Sequence, residues 1–216
     1  EMLDWPRDVE KLIEDLGVTD LGFLGVSGGG PYALACAHYF QKRTRNVGVV
    51  SSLGPTRVEE SRKTLGSPVR GLLYFYDYYP QMVESVLEKL ILMSQKSPTR
   101  FFQQLQQLMS REDRDVFDDP DVLEVLQASF RRSFHQGSKG ALRELKLFAS
   151  DWKFDINEIE CQVFLWHGKR DRVVPYQMSE YLAREIPDGR LELFPDEGHY
   201  SLPIKHGPEF LEKMAK

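Results

Sequence analysis

Cysteine is scarce in this chain, with Cys36 and Cys161 the two present. Both fall in apolar stretches and neither has partners at metal-ligand spacing, which argues against a disulfide framework or a zinc site and for buried free thiols. Such usage fits a reducing, cytoplasmic compartment. Positive charge is not in excess either. With 28 Lys and Arg against 33 Asp and Glu the net charge is −5, and no basic stripe with interleaved aromatics occurs, so a nucleic-acid partner is not expected. The densest basic run, Gln41-Lys42-Arg43-Thr44-Arg45, follows an Ala-rich segment and reads as a solvated helix end. No apolar run approaches the roughly 18 residues of a membrane span, and Glu1-Met2-Leu3-Asp4-Trp5 lacks the basic and apolar regions of a leader. No membrane partner is read from the visible chain. Internal repeats, low-complexity tracts and flexible linkers are also missing.

What is present is an alternation of helical and strand patterns. Asp4 is a candidate N-cap for a helix beginning near Pro6, with Val9, Leu12, Ile13 and Leu16 at helical spacing up to Gly17. Leu21–Leu24 reads as a short buried strand, Tyr32–Tyr39 as a helix with Pro31 at its first turn, and Asn46–Leu53 as a second buried strand ended by Gly54-Pro55. The rhythm returns with a strand at Gln162–His167, a helix at Tyr176–Glu185, a strand at Arg190–Phe194 and a final helix from about Pro208 to Ala215. This pattern predicts an α/β fold, a parallel sheet with helices on both faces.

Residues 56–151 break the rhythm. Helices are expected at Val69–Tyr78, Gln81–Gln95, Arg100–Met109, Asp121–His135 and Lys139–Ser150, punctuated by Pro80, Pro98 and Pro120, with Ser97, Ser110 and Asp119 as cap or turn residues. So long a helical stretch exceeds one crossover. The expected organisation is a core of residues 1–55 and 152–216 carrying an inserted all-helical cap over 56–151.

The stretch Gly25-Val26-Ser27-Gly28-Gly29 has the G-x-S-x-G form of a nucleophile elbow, placed between a strand and a helix as that turn requires. Small residues at Gly25 and Gly29 would let strand and helix pass closely around a strained serine. By chance the pattern arises on the order of 0.1 times in a chain of this length, so alone it is suggestive. A serine hydroxyl needs a base to take its proton and an acid to orient that base. Asp171 follows the Val163–His167 strand and His199 follows the Leu191–Phe194 strand, both at carboxyl ends, the edge where open α/β sheets place their sites. Asp188, Asp196 and Glu197 are competing acids, but none lies directly after that strand. His167 precedes Asp171 and is read as a packing residue beside the acid; His38, His135 and His206 are surface or packing residues.

The motifs GVSGGGPYALA, WHGKRDRVVP and PDEGHYSLP, in the order Ser, Asp, His, resemble the α/β-hydrolase superfamily, and within it the bacterial capped hydrolases known as esterases or as proline iminopeptidase-like. By position Ser27 matches the nucleophile, Asp171 the orienting acid and His199 the general base, and the Gly28 N–H matches one oxyanion-hole donor. The resemblance implies a serine hydrolase that cleaves an ester or amide of a small molecule through an acyl-enzyme, with neither metal nor organic cofactor. Serine rather than aspartate at the elbow argues against dehalogenase and epoxide-hydrolase chemistry. The rival enzyme reading is a proline iminopeptidase-like aminopeptidase acting on N-terminal proline, with Asp77, Glu84 or Glu88 receiving the substrate amine, and the rival from another class is an interaction protein without turnover. Aromatic and apolar residues of the cap, Tyr74, Tyr78 and Met82 foremost, are candidate pocket walls.

In that superfamily about a third of the protein precedes the helix with which this sequence opens, and it supplies further strands and the second oxyanion donor. The expectation is therefore a partial α/β-hydrolase fold of four parallel strands with the elbow strand at an edge. Three readings follow: a piece of a longer hydrolase, a chain completed by a separate N-terminal segment or second chain, or a silent shortened member. One absent oxyanion donor would lower the rate by about 10²–10³-fold.

Overall fold

In the computed structural model, which describes residues 1–64, 75, 76 and 78–216, the apolar runs become strands β1 (Leu21–Val26), β2 (Thr44–Val50), β3 (Gln162–Gly168) and β4 (Gly189–Phe194). They form one parallel sheet in the order β1–β2–β3–β4, with partners such as Val26–Val50, Val50–Trp166 and Gly168–Phe194. Among the described residues β1 is thus an edge, and its Leu24 and Val26 stay exposed.

Helix α1 (Asp4–Leu16) packs against α2 (Gly30–Phe40), joining Ile13 to Leu21, Cys36 and Phe40. It stops at Gly17, whose left-handed φ of 64° lets its N–H reach back to the last carbonyls of the helix. Asp4 does not cap it. The N-cap position is Leu3, and no side-chain hydrogen bond caps the helix there.

Between β2 and β3 lie α3 (Glu59–Thr64), α4 (Pro80–Lys96), α5 (Pro98–Leu108), α6 (Arg111–Phe117), α7 (Pro120–Ser133) and α8 (Lys139–Phe148). The three prolines expected as punctuation are the first residues of α4, α5 and α7, where a missing N–H costs nothing. Ser110 and Asp119 cap α6 and α7 through side-chain oxygens, whereas Ser97 makes no such bond. The short helices α3 and α6 were not expected. The helix expected at Val69–Tyr78 falls largely on residues outside those described.

Alternate residues of β3 point to opposite faces. Val163 and Leu165 join Val47 and Val49 under α2 and α9 (Gln177–Glu185), in a core with Leu34, Ala35 and Leu182. Phe164 and Trp166 turn the other way, onto α10 (Ser201–Ala215), where Phe210 stacks on Trp166 at 4.3 Å. Helices thus cover both faces, as the sequence pattern requires. Burial of side chains this large contributes on the order of 2–3 kcal/mol each. Helix α10 begins well before Pro208, which sits in its interior and leaves the Ile204 carbonyl without its intrahelical partner. Cys36 is buried and Cys161 half-buried, both free, and burial pushes their thiols up to about 12 and about 11. Among the described residues no helix is long and apolar enough to cross a membrane.

Candidate active site

The turn from β1 into α2 sets Ser27 at φ 54°, a left-handed conformation that a residue with a Cβ adopts only under constraint. The constraint is close packing. A Cβ on Gly25 would collide with the backbone of Gly29 and Gly30, and one on Gly30 would overlap the Ser52 hydroxyl. Gly29 has open space at that position, so the tight approach expected of it falls on Gly30 instead. Ser52, two residues past β2, donates a 2.8 Å hydrogen bond to the Ser27 carbonyl and so braces the turn.

The loops after β3 and β4 meet Ser27 at the carboxyl edge of the sheet. They are laced together by Lys169 N–H to the Phe194 carbonyl at 2.8 Å and Arg170 N–H to the Glu197 carbonyl at 2.9 Å. His199 lies between the other two residues, with Nε2 2.9 Å from Ser27 Oγ and Nδ1 2.7 Å from Asp171 Oδ2. Since Asp171 offers only acceptor oxygens in its ionised form, Nδ1 carries the proton and Nε2 is left to accept from the serine hydroxyl. The other Asp171 oxygen accepts from Val173 N–H and Val174 N–H, both at 2.8 Å. Burial pushes the Asp171 carboxyl up, but the hydrogen bonds it receives from His167 and His199 outweigh that and hold the carboxyl down at about 2.

His167 is fully buried. Its Nε2 faces two acceptors, Asp171 Oδ2 at 3.2 Å and the Val174 carbonyl at 2.9 Å, and its Nδ1 faces the Ser179 hydroxyl at 2.7 Å. With the proton on Nε2 every polar atom of the ring is paired. This is the packing place beside the acid that the sequence suggests. His206 lies on Glu197 and Glu209, and His38 against Phe154 and near Glu158.

Sequence reasoning missed Asp113 on α6. Its carboxylate is fully buried and accepts from the backbone N–H groups of His199 at 3.1 Å, Tyr200 at 2.8 Å and Ser201 at 2.9 Å. No local signal marks it, because α6 is short and highly charged and the contact joins residues 86 apart in the chain.

Beside the elbow is a cavity of about 820 Å³ walled by Met82, Val86, Leu90, Phe134, Leu145 and Phe148. Phe148 closes it against Gly28, where a Cβ would lie 2.9 Å from the ring. Among the described residues Glu144 is its one charged lining residue, and the Tyr32 hydroxyl donates to Glu144 at 2.7 Å. Burial, then the bond to Glu144, raises the Tyr32 phenol above its ordinary range. Met82 is one of the residues lining the cavity. Tyr78 is largely exposed and outside its lining, and Tyr74 and Asp77 lie outside the described residues. Among the described residues no group of three His, Cys, Asp or Glu side chains converges as metal ligands would.

A parallel sheet that carries a strained serine elbow after β1, with an acid and a histidine after later strands, defines a hydrolase-type α/β fold. The chain belongs to the family described as alpha/beta hydrolase fold, which matches residues 1–205. It is 25% identical over 207 residues to 2-hydroxymuconate semialdehyde hydrolase of Pseudomonas putida, covering 95% of this chain and 65% of that protein. It is 26% identical to 2-hydroxy-6-oxo-6-phenylhexa-2,4-dienoate hydrolase of Burkholderia cepacia, covering 90% and 62%. The chain thus spans less than two thirds of the length of these relatives. Among solved structures, an esterase of Exiguobacterium antarcticum superposes with a TM-score of 0.65 at 19% identity, covering 97% of this chain and 70% of that one, which speaks for the fold alone.

Proposed function

We propose that this chain carries the catalytic residues of a serine hydrolase that cleaves an ester or amide of a small molecule with an apolar acyl group. Ser27 Oγ attacks the carbonyl carbon as His199 Nε2 takes its proton, and Asp171 holds the imidazole through Nδ1–H. The oxyanion so formed is stabilised by the Gly28 N–H. Collapse breaks the bond to the leaving alcohol or amine, which receives the proton from His199 and leaves an acyl group on Ser27. Water then attacks that acyl carbon, with His199 again as base, and releases the acid. The observation that carries this reading is the continuous pair of bonds, 2.9 and 2.7 Å, from Ser27 through His199 to Asp171.

Residues 56–151 act in this reading as a cap over the elbow, and its cavity receives the acyl group. The walls favour an apolar chain or ring. The hydrolases to which the chain is similar take their names from acids and semialdehydes with several oxygens, but Glu144 would repel a carboxylate in this cavity, which favours an uncharged acyl group. The same Glu144 favours a second reading, an aminopeptidase whose substrate ammonium pairs with it. In that reading Glu144 replaces Glu84 and Glu88 as the amine acceptor, because neither of them lines the cavity. A panel of p-nitrophenyl esters of increasing acyl length, set against prolyl and alanyl anilides, tests both. Ester turnover lost in Ser27→Ala is expected; anilide turnover lost in Glu144→Gln would favour the second reading, and no turnover of either class would overturn the proposal.

A further inference from the structure

Helix α10 follows His199 directly, and its first N–H groups find no acceptor in their own turn, since Tyr200 at the N-cap makes no side-chain bond. The acceptor comes from elsewhere in the chain. The two Asp113 oxygens take the N–H groups of His199, Tyr200 and Ser201, while Ser201 Oγ takes the Gly198 N–H at 2.8 Å. Asp113 and Ser201 between them therefore serve every N–H of the turn from Gly198 to Ser201. The fit is tight, because a Cβ on Gly198 would overlap both Asp113 oxygens and the Ser110 hydroxyl.

Helix α6 is itself held in place. Ser110 caps it by accepting from Asp113 N–H at 3.2 Å, and Phe117 lays its ring against Tyr200 at 5.2 Å between centroids. Just before α6, the Met109 carbonyl accepts from Arg172, the neighbour of Asp171. One helical segment thus touches the loop of the acid and grips the loop of the base.

We propose that Asp113 is a positioning residue for His199: it supplies from α6 the N-cap that α10 lacks, and thereby fixes the backbone from which the imidazole reaches Ser27 and Asp171. The proposal rests on reading His199 as the general base. His199 must meet two partners at once, so a displacement of about 1 Å breaks one bond or the other, and misplacement of that size costs about 10²-fold in rate.

Asp113→Asn is the informative variant. Its amide oxygen can keep the bonds to Tyr200 and Ser201, but its NH₂ then opposes the His199 N–H, donor against donor. The expected result is a folded protein with kcat for the best p-nitrophenyl ester lowered about 10²-fold, KM changed by less than about twofold, and the downfield proton resonance of His199 Nδ1–H broadened or lost. That resonance is assigned by its absence in Asp171→Asn. Asp115→Asn, an exposed neighbour on α6, should leave all three readouts unchanged. A folded Asp113→Asn with wild-type kcat and an unshifted resonance overturns the proposal. If Asp113→Asn does not fold, Ser201→Ala loosens the same turn from the side of α10; a lower kcat with unchanged KM supports positioning, and an unchanged kcat with an unchanged resonance overturns it. Absent turnover in the wild type counts against the hydrolase reading alone, since the response of the resonance still shows whether Asp113 holds the imidazole.

Discussion

The carboxyl edge of the sheet and the cavity beside it are built on opposite principles. At the edge, the His199 and Asp171 side chains are at most 5% exposed, and each ring nitrogen of His167 and His199 has a partner. The cavity wall on α4 is apolar and loosely covered, with Met82, Val86 and Leu90 each more than 40% exposed. Directional bonds in a buried site hold atoms to within tenths of an ångström. An apolar wall makes no such demand, and it accepts changes of side chain with modest cost. In the proposed reading the edge carries the reaction and the wall the choice of substrate, and the two should respond differently to substitution.

The largest effects should come from the edge. Ser27→Ala is expected to lower kcat by about 10⁶-fold in steady-state ester hydrolysis, because a unit of nucleophile, base and acid fails together. Asp171→Asn should cost about 10⁴-fold, since an amide can hold His199 in the wrong tautomer while the geometry survives. On the wall, Val86→Trp should narrow the cavity and shift the preferred p-nitrophenyl ester toward shorter acyl chains by about tenfold in kcat/KM, with little effect on the shortest ester. A wall variant that lowered turnover of every ester equally would erase the distinction between the two regions.

Acid stability gives the smallest and most local effect. The Asp171 carboxyl is held at about 2 in the folded chain against 3.8 for an unperturbed group. A depressed acid stabilises the fold above its unfolded pKa, and that contribution disappears as pH falls from about 4 through about 2. It amounts to about 2 kcal/mol. Denaturant midpoints measured across that window should fall in the wild type and change less in Asp171→Asn.

The same contrast explains what could be read in the chain. Val47, Val49, Val163 and Leu165 announce buried parallel strands because both faces of the sheet are covered. Ser27, Asp171 and His199 could be placed because each directly follows a strand, and a position in a parallel sheet fixes which edge a loop joins. Asp113 could not, since α6 carries Arg, Glu and Asp without apolar periodicity and its role depends on a contact made only after the chain folds. The start of α10 was misplaced for a similar reason. Pro208 looks like the first turn of a helix, but the helix starts at Ser201, whose N–H is taken by Asp113 from a distant element. The need for glycine moved from Gly29 to Gly30 because it depends on where Ser52 packs.

The most direct measurement is reaction of the full chain with a fluorophosphonate probe at mildly alkaline pH, with the modified residue located by peptide mass spectrometry. The predicted result is one phosphonylated residue, Ser27, with modification strongly slowed in His199→Ala. An unmodified Ser27 in folded wild-type protein, or modification that is as fast without His199, would contradict the account.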